Sequence, residues 1–113
     1  MDLLLEGCQG YRLDVWGEEY PNVTSSCTTI GAVFYSTRLS HKQIDEVIGV
    51  AKIYETKVGT GEFEELDEEL SEKYRSVGKE YGATTGRPRK IGWLDLDLLK
   101  EAIQVNGVDT LII

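Results

Sequence analysis

The chain has 113 residues, with twelve basic and twenty acidic side chains and a formal net charge of −8. This balance excludes a general nucleic-acid-binding protein, whose binding surface would be basic. No apolar run approaches the ~20 residues that span a bilayer, so we expect a soluble, cytoplasmic protein that binds neither nucleic acid nor a membrane. Cys8 and Cys27 have no metal-ligand spacing around them and are expected to be reduced thiols.

The first apolar run, Leu3-Leu4-Leu5, stops at Glu6-Gly7. A short apolar run stopped by glycine predicts a buried strand that leads into a loop. Ligands of open α/β sheets bind beyond the carboxyl ends of such strands. Gln9 follows this strand, and its amide both donates and accepts hydrogen bonds, which suits the edge of a purine base. The alternative is an ordinary loop residue.

Three hydroxyl residues, Thr24-Ser25-Ser26, precede segment 28–34, which we expect to be helical. Hydroxyls at the start of a helix serve as N-caps. The same end of a helix also favours a phosphate group. The residues alone leave both interpretations open.

Residues 46–58 predict one strand, with Val47-Ile48-Gly49-Val50-Ala51 as its buried part. Segment 62–72 then holds seven acidic residues. An apolar stripe at spacings of three and four predicts an amphipathic helix here, capped by Asp67 and ended by Gly82. The members of the stripe are Leu66, Leu70, Tyr74, Val77 and Tyr81. The acidic side chains are therefore expected to face water rather than to bind a metal.

A second amphipathic helix is predicted after Trp93-Leu94-Asp95, and Asn106-Gly107 is its expected left-handed end. Its apolar face holds Leu98, Leu99, Ala102 and Ile103. Residues 108–113 predict an apolar strand. No linker interrupts the chain, so residues 1–113 are expected to form a single segment of one domain.

Between the two predicted helices, residues 82–93 bring glycines, hydroxyls and guanidinium groups together. Arg87 and Arg89 each offer a planar fork that binds a carboxylate or phosphate through two charge-assisted hydrogen bonds. Thr84 and Thr85 add hydroxyl donors, and the glycines let main-chain N–H groups approach a ligand. Pro88 biases Arg87 toward an extended conformation. The stretch predicts an anion-binding loop that is not helical.

This stretch resembles the aspartate-binding loop of the adenylosuccinate synthetase family, through Gly-Ala-Thr-Thr-Gly-Arg-Pro-Arg at 82–89 and Gly-Trp-Leu-Asp at 92–95. Residues 6–10, 20–26 and 47–59 agree with the family in order and spacing. The resemblance covers nearly all of this chain but only a middle portion of a family member. It implies an α/β fold: an incomplete part of a P-loop-NTPase-like, mainly parallel sheet flanked by helices.

The resemblance also implies a function, a C–N bond-forming ligase of purine biosynthesis that uses GTP and Mg²⁺ to join L-aspartate to inosine monophosphate (IMP). The implied IMP ligands are Gln9, Thr24 and Arg87, and the implied GTP ligand is Arg89. Ser25 and Ser26 are then left as helix caps. The implied aspartate site comprises Ala83, Thr84, Thr85, Gly86, Arg87, Pro88 and Arg89.

The family's glycine-rich phosphate loop, its catalytic Asp and His and its guanine-reading Lys-x-Asp segment have no match in this sequence. No catalytic or metal-binding residue is therefore assigned, and most ligands of GTP and Mg²⁺ are expected outside this chain. We expect the chain to be inactive alone and to work with the remaining part of a split or longer enzyme. The complete enzyme is expected to be a homodimer.

Other functions stay open. One is a phage-type 2-aminoadenylosuccinate synthase that acts on a guanine nucleotide, for which segments 29–37 and 62–65 leave room because they depart from the family pattern. Another is a non-catalytic module that binds a nucleotide monophosphate or a dicarboxylate. A third is an acidic interaction protein that uses the Glu-rich helix.

Overall fold

The structure, a computed structural model, describes residues 2–113 and divides them into two compact units. One unit contains the chain up to Gly49 together with Lys100–Ile112, and the other contains Val50–Leu99 and Ile113. The regular elements are α1 (Gly31–Thr37), α2 (Glu68–Gly78), α3 (Leu96–Asn106), β1 (Ile48–Val50), β2 (Tyr54–Lys57), β3 (Lys90–Trp93) and β4 (Thr110–Ile112). Short 3-10 turns span Tyr11–Leu13 and His41–Gln43.

Strands β1 and β4 form a two-stranded sheet. The carbonyl oxygen of Val47, just before β1, accepts hydrogen bonds from the main-chain N–H groups of Asp109 and Thr110, where β4 begins. Because the starts of the two strands meet, the strands run parallel. Val108 and Leu111 pack closely against Gly49, where an added Cβ would lie 3.0 Å from Val108 Cγ1. A parallel pair joined by a long connection is the unit expected of an α/β fold.

Strands β2 and β3 form a separate antiparallel pair, in which Tyr54 lies opposite Trp93 and Lys57 opposite Lys90. Ile91 of β3 is completely buried, and its carbonyl oxygen accepts a hydrogen bond of 2.8 Å from the N–H of Leu66. A Cβ added at Gly92 would lie 2.6 Å from the carbonyl oxygen of Glu64. Because Gly92 has no side chain, the segment before α2 can pack directly against β3 at this position.

Helix α2 begins as the sequence predicts, because the side chain of Asp67 accepts a hydrogen bond from the N–H of Leu70. Its end differs from the prediction. The helix stops at Gly78, and Lys79 takes the left-handed conformation at φ 51°. Tyr81 instead forms a β-bridge with Pro88. Val77, assigned to the apolar stripe, is 81% exposed, so the stripe is shorter than predicted.

Helix α3 agrees with its prediction at both ends. Asp95 accepts hydrogen bonds from the N–H groups of Asp97 and Leu98, and Gly107 has φ 59°. Within residues 2–113, none of the helices is both long enough and apolar enough to cross a membrane.

Two predicted strands are wrong. Residues 46–58 form β1 and β2 rather than one strand, because β1 bonds to β4 whereas β2 bonds to β3. Residues 3–5 lie outside the strands, and Leu3 and Leu4 are 63% and 85% exposed. An apolar run becomes a strand only where another strand takes up its main-chain hydrogen bonds, and no described strand pairs with residues 3–5. Strand β3 was not foreseen.

Candidate functional site

Residues 82–89 form a closed hairpin loop, which we call the 82–89 loop. The N–H of Gly82 donates to the carbonyl oxygen of Arg87, and the N–H of Gly86 donates to that of Gly82, both at 2.8 Å. The N–H of Arg89 donates to the carbonyl oxygen of Glu80 at 3.0 Å. Gly86 has φ 63°, a conformation that glycine adopts without a steric penalty. The predicted absence of helix is confirmed, and the loop is held at its base.

The tip of the loop presents its polar side chains to solvent. Residues 83–88, with Thr84, Thr85 and Arg87 among them, are exposed. Across residues 2–113, neither the Arg87 guanidinium nor the two hydroxyls make a side-chain hydrogen bond or ion pair. Arg87 therefore has its full set of donors available for a ligand.

Arg89 is placed differently from Arg87. Its Nη1 pairs with Glu80 Oε2 at 3.3 Å, and its side chain is 30% exposed. Its Nε is buried and has no hydrogen-bond partner among the described residues. The two arginines, which the sequence treats alike, therefore differ: one guanidinium is free and the other is tied to the chain's own carboxylate.

Glu80 is the buried carboxylate at the base of the loop, with 7% of its side chain exposed. Its Oε1 accepts hydrogen bonds from Lys52 Nζ at 2.7 Å and from the Tyr54 hydroxyl at 2.9 Å. Burial by itself would raise the pKa of Glu80, but the bonds from Lys52 and Tyr54 and the charges of Lys52 and Arg89 bring the pKa below its ordinary value. Glu80 is thus held as a charged group. Nothing in the sequence singles out Glu80 among the twenty acidic residues.

The first unit contains Gln9 and Thr24, the two other residues assigned to IMP. Gln9 has φ 61° and is exposed, and its Oε1 accepts from the Cys8 thiol at 3.0 Å and from the Ser26 hydroxyl at 3.5 Å. The N–H of Thr24 donates to the carbonyl oxygen of Leu13 at 2.8 Å. Both residues therefore lie where segments 8–14 and 24–29 run beside each other.

Asp14 joins these two segments. Its buried carboxylate accepts from the main-chain N–H groups of Trp16 at 2.9 Å, Thr28 at 2.6 Å and Thr29 at 3.3 Å. The bonds from Trp16 and Thr28 lower the pKa of Asp14 despite its burial. The signal in the sequence was a carboxylate placed between the apolar residues Leu13 and Val15.

The expected capping by Ser25 and Ser26 is wrong. Helix α1 begins at Gly31, its N-cap is Ile30, and no side chain makes a capping bond there. The N–H of Ile30 donates instead to the side chain of Asn106 at 2.8 Å. The N–H groups of Thr28 and Thr29, which precede the helix, donate to the carboxylate of Asp14, so they already have hydrogen-bond partners. Because α1 begins at Gly31, Thr24 does not lie at the start of this helix, and the helix end gives no support for a phosphate site near Thr24.

No group of three or more His, Cys, Asp or Glu side chains in residues 2–113 is placed to hold a metal ion. The described residues therefore do not form a Mg²⁺ site from side chains alone, and Mg²⁺ is usually held by one or two carboxylates together with substrate phosphates. Cys8 and Cys27 are free thiols.

The family model described as Adenylosuccinate synthetase matches residues 1–113. Adenylosuccinate synthetase of Thermus thermophilus is 53% identical over 112 residues, which are 98% of this chain and 28% of the relative. The Xanthomonas campestris pv. campestris protein of the same name is 48% identical over 98% of this chain and 26% of its own length. The chain therefore spans little more than a quarter of the relatives it matches.

Two solved structures resemble the fold. Fully ligated adenylosuccinate synthetase from Plasmodium falciparum superposes with a TM-score of 0.87 at 44% identity, over 94% of this chain and 25% of the other. The cyanophage S-2L succinoaminodeoxyadenylate synthetase, bound to dGMP and dATP, gives a TM-score of 0.69 at 27% identity, over 93% and 33%. The α/β class is thus confirmed, and the chain belongs to the adenylosuccinate synthetase family.

Proposed function

We propose that this chain supplies the L-aspartate-binding and IMP-binding loops of a cytoplasmic, GTP-dependent ligase that makes adenylosuccinate. Support comes from the family membership and from the higher identity to synthetases of that name than to the phage enzyme. The remaining segments of the synthetase are its proposed partners.

The single observation that carries the proposal is the free guanidinium of Arg87 at the tip of a closed loop. An arginine fork binds a carboxylate through two parallel hydrogen bonds, and the exposed hydroxyls of Thr84 and Thr85 lie in the same loop. A dicarboxylate such as L-aspartate suits this combination. Arg87 is also the residue proposed to reach the nucleotide.

In the proposed reaction, GTP phosphorylates the 6-oxygen of IMP, and the amino group of L-aspartate then displaces that phosphate to form the C–N bond. The 82–89 loop contributes by holding the carboxylates of aspartate, so that the amino group is presented in a fixed position. Gln9 and Thr24 are proposed to hold IMP. Arg89 is proposed to contact GTP, although its Nη1 is already paired with Glu80. No step is assigned to Mg²⁺, because the described residues do not form a site for it.

A phage-type enzyme acting on a guanine nucleotide is the second candidate, favoured by the structural likeness to the cyanophage enzyme. The two candidates differ in the purine and share the aspartate loop. Titration of this chain with IMP and with dGMP separates them: tighter binding of IMP supports the first, and tighter binding of dGMP supports the second.

Calorimetric titration of the chain with L-aspartate tests the proposed function. We expect micromolar to millimolar binding, weakened ~10-fold or more by Arg87→Ala, because a hydrogen bond to a charged group contributes about 1.5–3 kcal/mol. Lys73→Ala is the matched control, since Lys73 is an exposed cation of α2 and not a member of the 82–89 loop. The absence of heat with the unaltered chain at millimolar L-aspartate would overturn the proposal.

A further inference from the structure

We propose that Glu80 is a positioning residue of the 82–89 loop: it holds the two ends of the loop together and fixes Arg89, so that Arg87 is presented to the ligand. The ligand part of this inference rests on the proposed function. The geometric part, the claim that Glu80 holds the loop ends and fixes Arg89, depends only on the contacts that Glu80 makes within the chain.

Glu80 contacts Arg89 through both its main chain and its side chain. Its carbonyl oxygen accepts from the Arg89 N–H at 3.0 Å, and its carboxylate pairs with Arg89 Nη1 at 3.3 Å. The N–H of Glu80 donates to the carbonyl oxygen of Arg75 in α2, also at 3.0 Å. Glu80 therefore connects the end of the helix to the residue at which the loop closes.

The carboxylate is itself anchored from β2 and its preceding turn. Lys52 Nζ lies 2.7 Å and the Tyr54 hydroxyl 2.9 Å from Glu80 Oε1, and Lys52 Nζ also bonds the Thr56 hydroxyl at 3.1 Å. Tyr54 is fixed in turn by its position opposite Trp93 in the sheet. The direction of the carboxylate is thus set by a rigid element, as an effective positioning group requires.

Charge explains why a carboxylate is needed at this position. Lys52 and Arg89 both point their cationic groups at Glu80. Arg89 already has a buried Nε without a partner among the described residues. Without the negative charge of Glu80, Arg89 Nη1 would also lack a strong hydrogen-bond partner, and it would lie near the positive charge of Lys52. A buried cation without a partner is unfavourable, so the Arg89 side chain would turn toward water. The loop end at Arg89 would then lose its side-chain anchor.

Amide hydrogen exchange and the Arg89 Nε–H resonance of the ¹⁵N-labelled chain test the geometric part without any ligand. In Glu80→Gln we expect exchange at Gly86, Arg89 and the Arg89 Nε–H to become ~10-fold faster, which corresponds to about 1.4 kcal/mol, while amides of α3 keep their rates. Glu69→Gln, which changes an exposed glutamate of α2, is the control and should change none of them. Unchanged loop exchange in Glu80→Gln would overturn the proposal.

A double-mutant cycle tests whether Glu80 acts through Arg89. We expect Glu80→Gln to weaken L-aspartate binding ~10-fold in the unaltered chain and less than twofold in the Arg89→Gln background. Equal effects in both backgrounds would overturn the assigned route. If Glu80→Gln does not fold, Tyr54→Phe removes one anchor of the carboxylate and should speed exchange at the same three groups; unchanged exchange would count against the proposal.

The two proposals fail in different ways. If the unaltered chain binds no L-aspartate, the proposed function is overturned, while the exchange rates still decide the role of Glu80. If L-aspartate binds and depends on Arg87 but not on Glu80, the function stands and the positioning role is overturned.

Discussion

Asp14 accepts a hydrogen bond of 2.6 Å from the main-chain N–H of Thr28. This contact spans fourteen residues of sequence and joins the segment that carries Gln9 to the segment that carries Thr24. Gln9 and Thr24, both proposed to hold IMP, thus lie on two segments that the Asp14 carboxylate joins.

Removing this carboxylate should loosen the junction. We expect Asp14→Ala to lower the free energy of unfolding by about 1–3 kcal/mol, because it leaves buried main-chain N–H groups without a partner. Urea denaturation measures the change. Asp45→Ala, an exposed aspartate, is the control and should stay within about 0.5 kcal/mol of the unaltered chain. An equal effect of both substitutions would contradict the assigned role of Asp14.

The lowered pKa values of Asp14 and Glu80 predict a loss of stability in acid. Burial opposes the shift of Glu80, and the bonds to Lys52 and Tyr54 outweigh it; bonds from Trp16 and Thr28 lower the pKa of Asp14. A carboxyl group whose pKa is lower in the folded chain than in the unfolded chain contributes to stability at pH values above its unfolded pKa. This contribution is lost as the pH falls through the pKa of the folded chain. Stability should therefore fall below pH 4.5 for Glu80 and below pH 3.8 for Asp14.

Urea denaturation at several pH values between neutral and strongly acidic measures this dependence. The Asp14→Asn, Glu80→Gln double variant should start less stable at neutral pH and lose less on acidification. A double variant with the same slope as the unaltered chain would show that other carboxylates carry the acid sensitivity.

Gly78 allows the approach of Tyr54 to Glu80. A Cβ added at Gly78 would lie 2.5 Å from the Tyr54 hydroxyl and 3.2 Å from Glu80 Cγ. Alanine normally stabilises a helical position by about 0.5–1 kcal/mol relative to glycine. We expect Gly78→Ala instead to destabilise the chain in thermal unfolding, because the Tyr54–Glu80 bond must break. Gly31→Ala in α1, where only Thr29 Oγ1 comes within 4 Å, at 3.6 Å, should show the normal gain.

The Tyr11 hydroxyl donates a hydrogen bond of 2.6 Å to Glu101. This bond, with burial and the Glu101 charge, raises the pKa of Tyr11 from 10.0 to about 12. The contribution to stability is therefore present below pH 10 and is lost as the pH rises through about 12. ¹³C NMR titration of the tyrosine rings should show the Tyr11 pKa returning toward 10 in Glu101→Gln. An unchanged titration would mean that the bond does not set this pKa.

Arg87→Lys separates charge from geometry in the 82–89 loop. Lysine keeps the positive charge but lacks the planar fork. We expect L-aspartate affinity to fall as it does in Arg87→Ala or only slightly less, with the melting temperature unchanged because the Arg87 side chain makes no hydrogen bond or ion pair within residues 2–113. Calorimetry and thermal unfolding measure the two quantities. Full affinity in Arg87→Lys would indicate simple charge attraction.

The sequence predicts those features that depend on neighbours in the chain. The Asp67 cap, the end of α3 at Gly107 and the non-helical 82–89 loop are local, and each is confirmed. Features that depend on distant partners were missed or wrong. Asp14 and Glu80 each bond to residues at least fourteen positions away, Thr28 and Lys52, and residues 46–58 divide according to which strand each part pairs with.

The sequence also treats Arg87 and Arg89 as equivalent, since both stand beside Pro88 in the same motif. The structure distinguishes them by their partners: Arg87 is exposed, whereas Arg89 Nη1 pairs with the buried carboxylate of Glu80. The residue types of the 82–89 loop were enough to predict an anion-binding loop. The assignment of its individual residues to L-aspartate, IMP or GTP stays a prediction.

The hydrogen bonds between Gly82 and Arg87 and between Glu80 and Arg89 have a mechanical consequence. Together with the bond from the Glu80 N–H to the Arg75 carbonyl oxygen, they attach the 82–89 loop to the C-terminal end of α2. Any ligand that shifts α2 would carry the Arg87 guanidinium along with it. Inserting a single residue between positions 82 and 87 would move the Arg87 guanidinium away from its present position without changing its ability to bind a carboxylate.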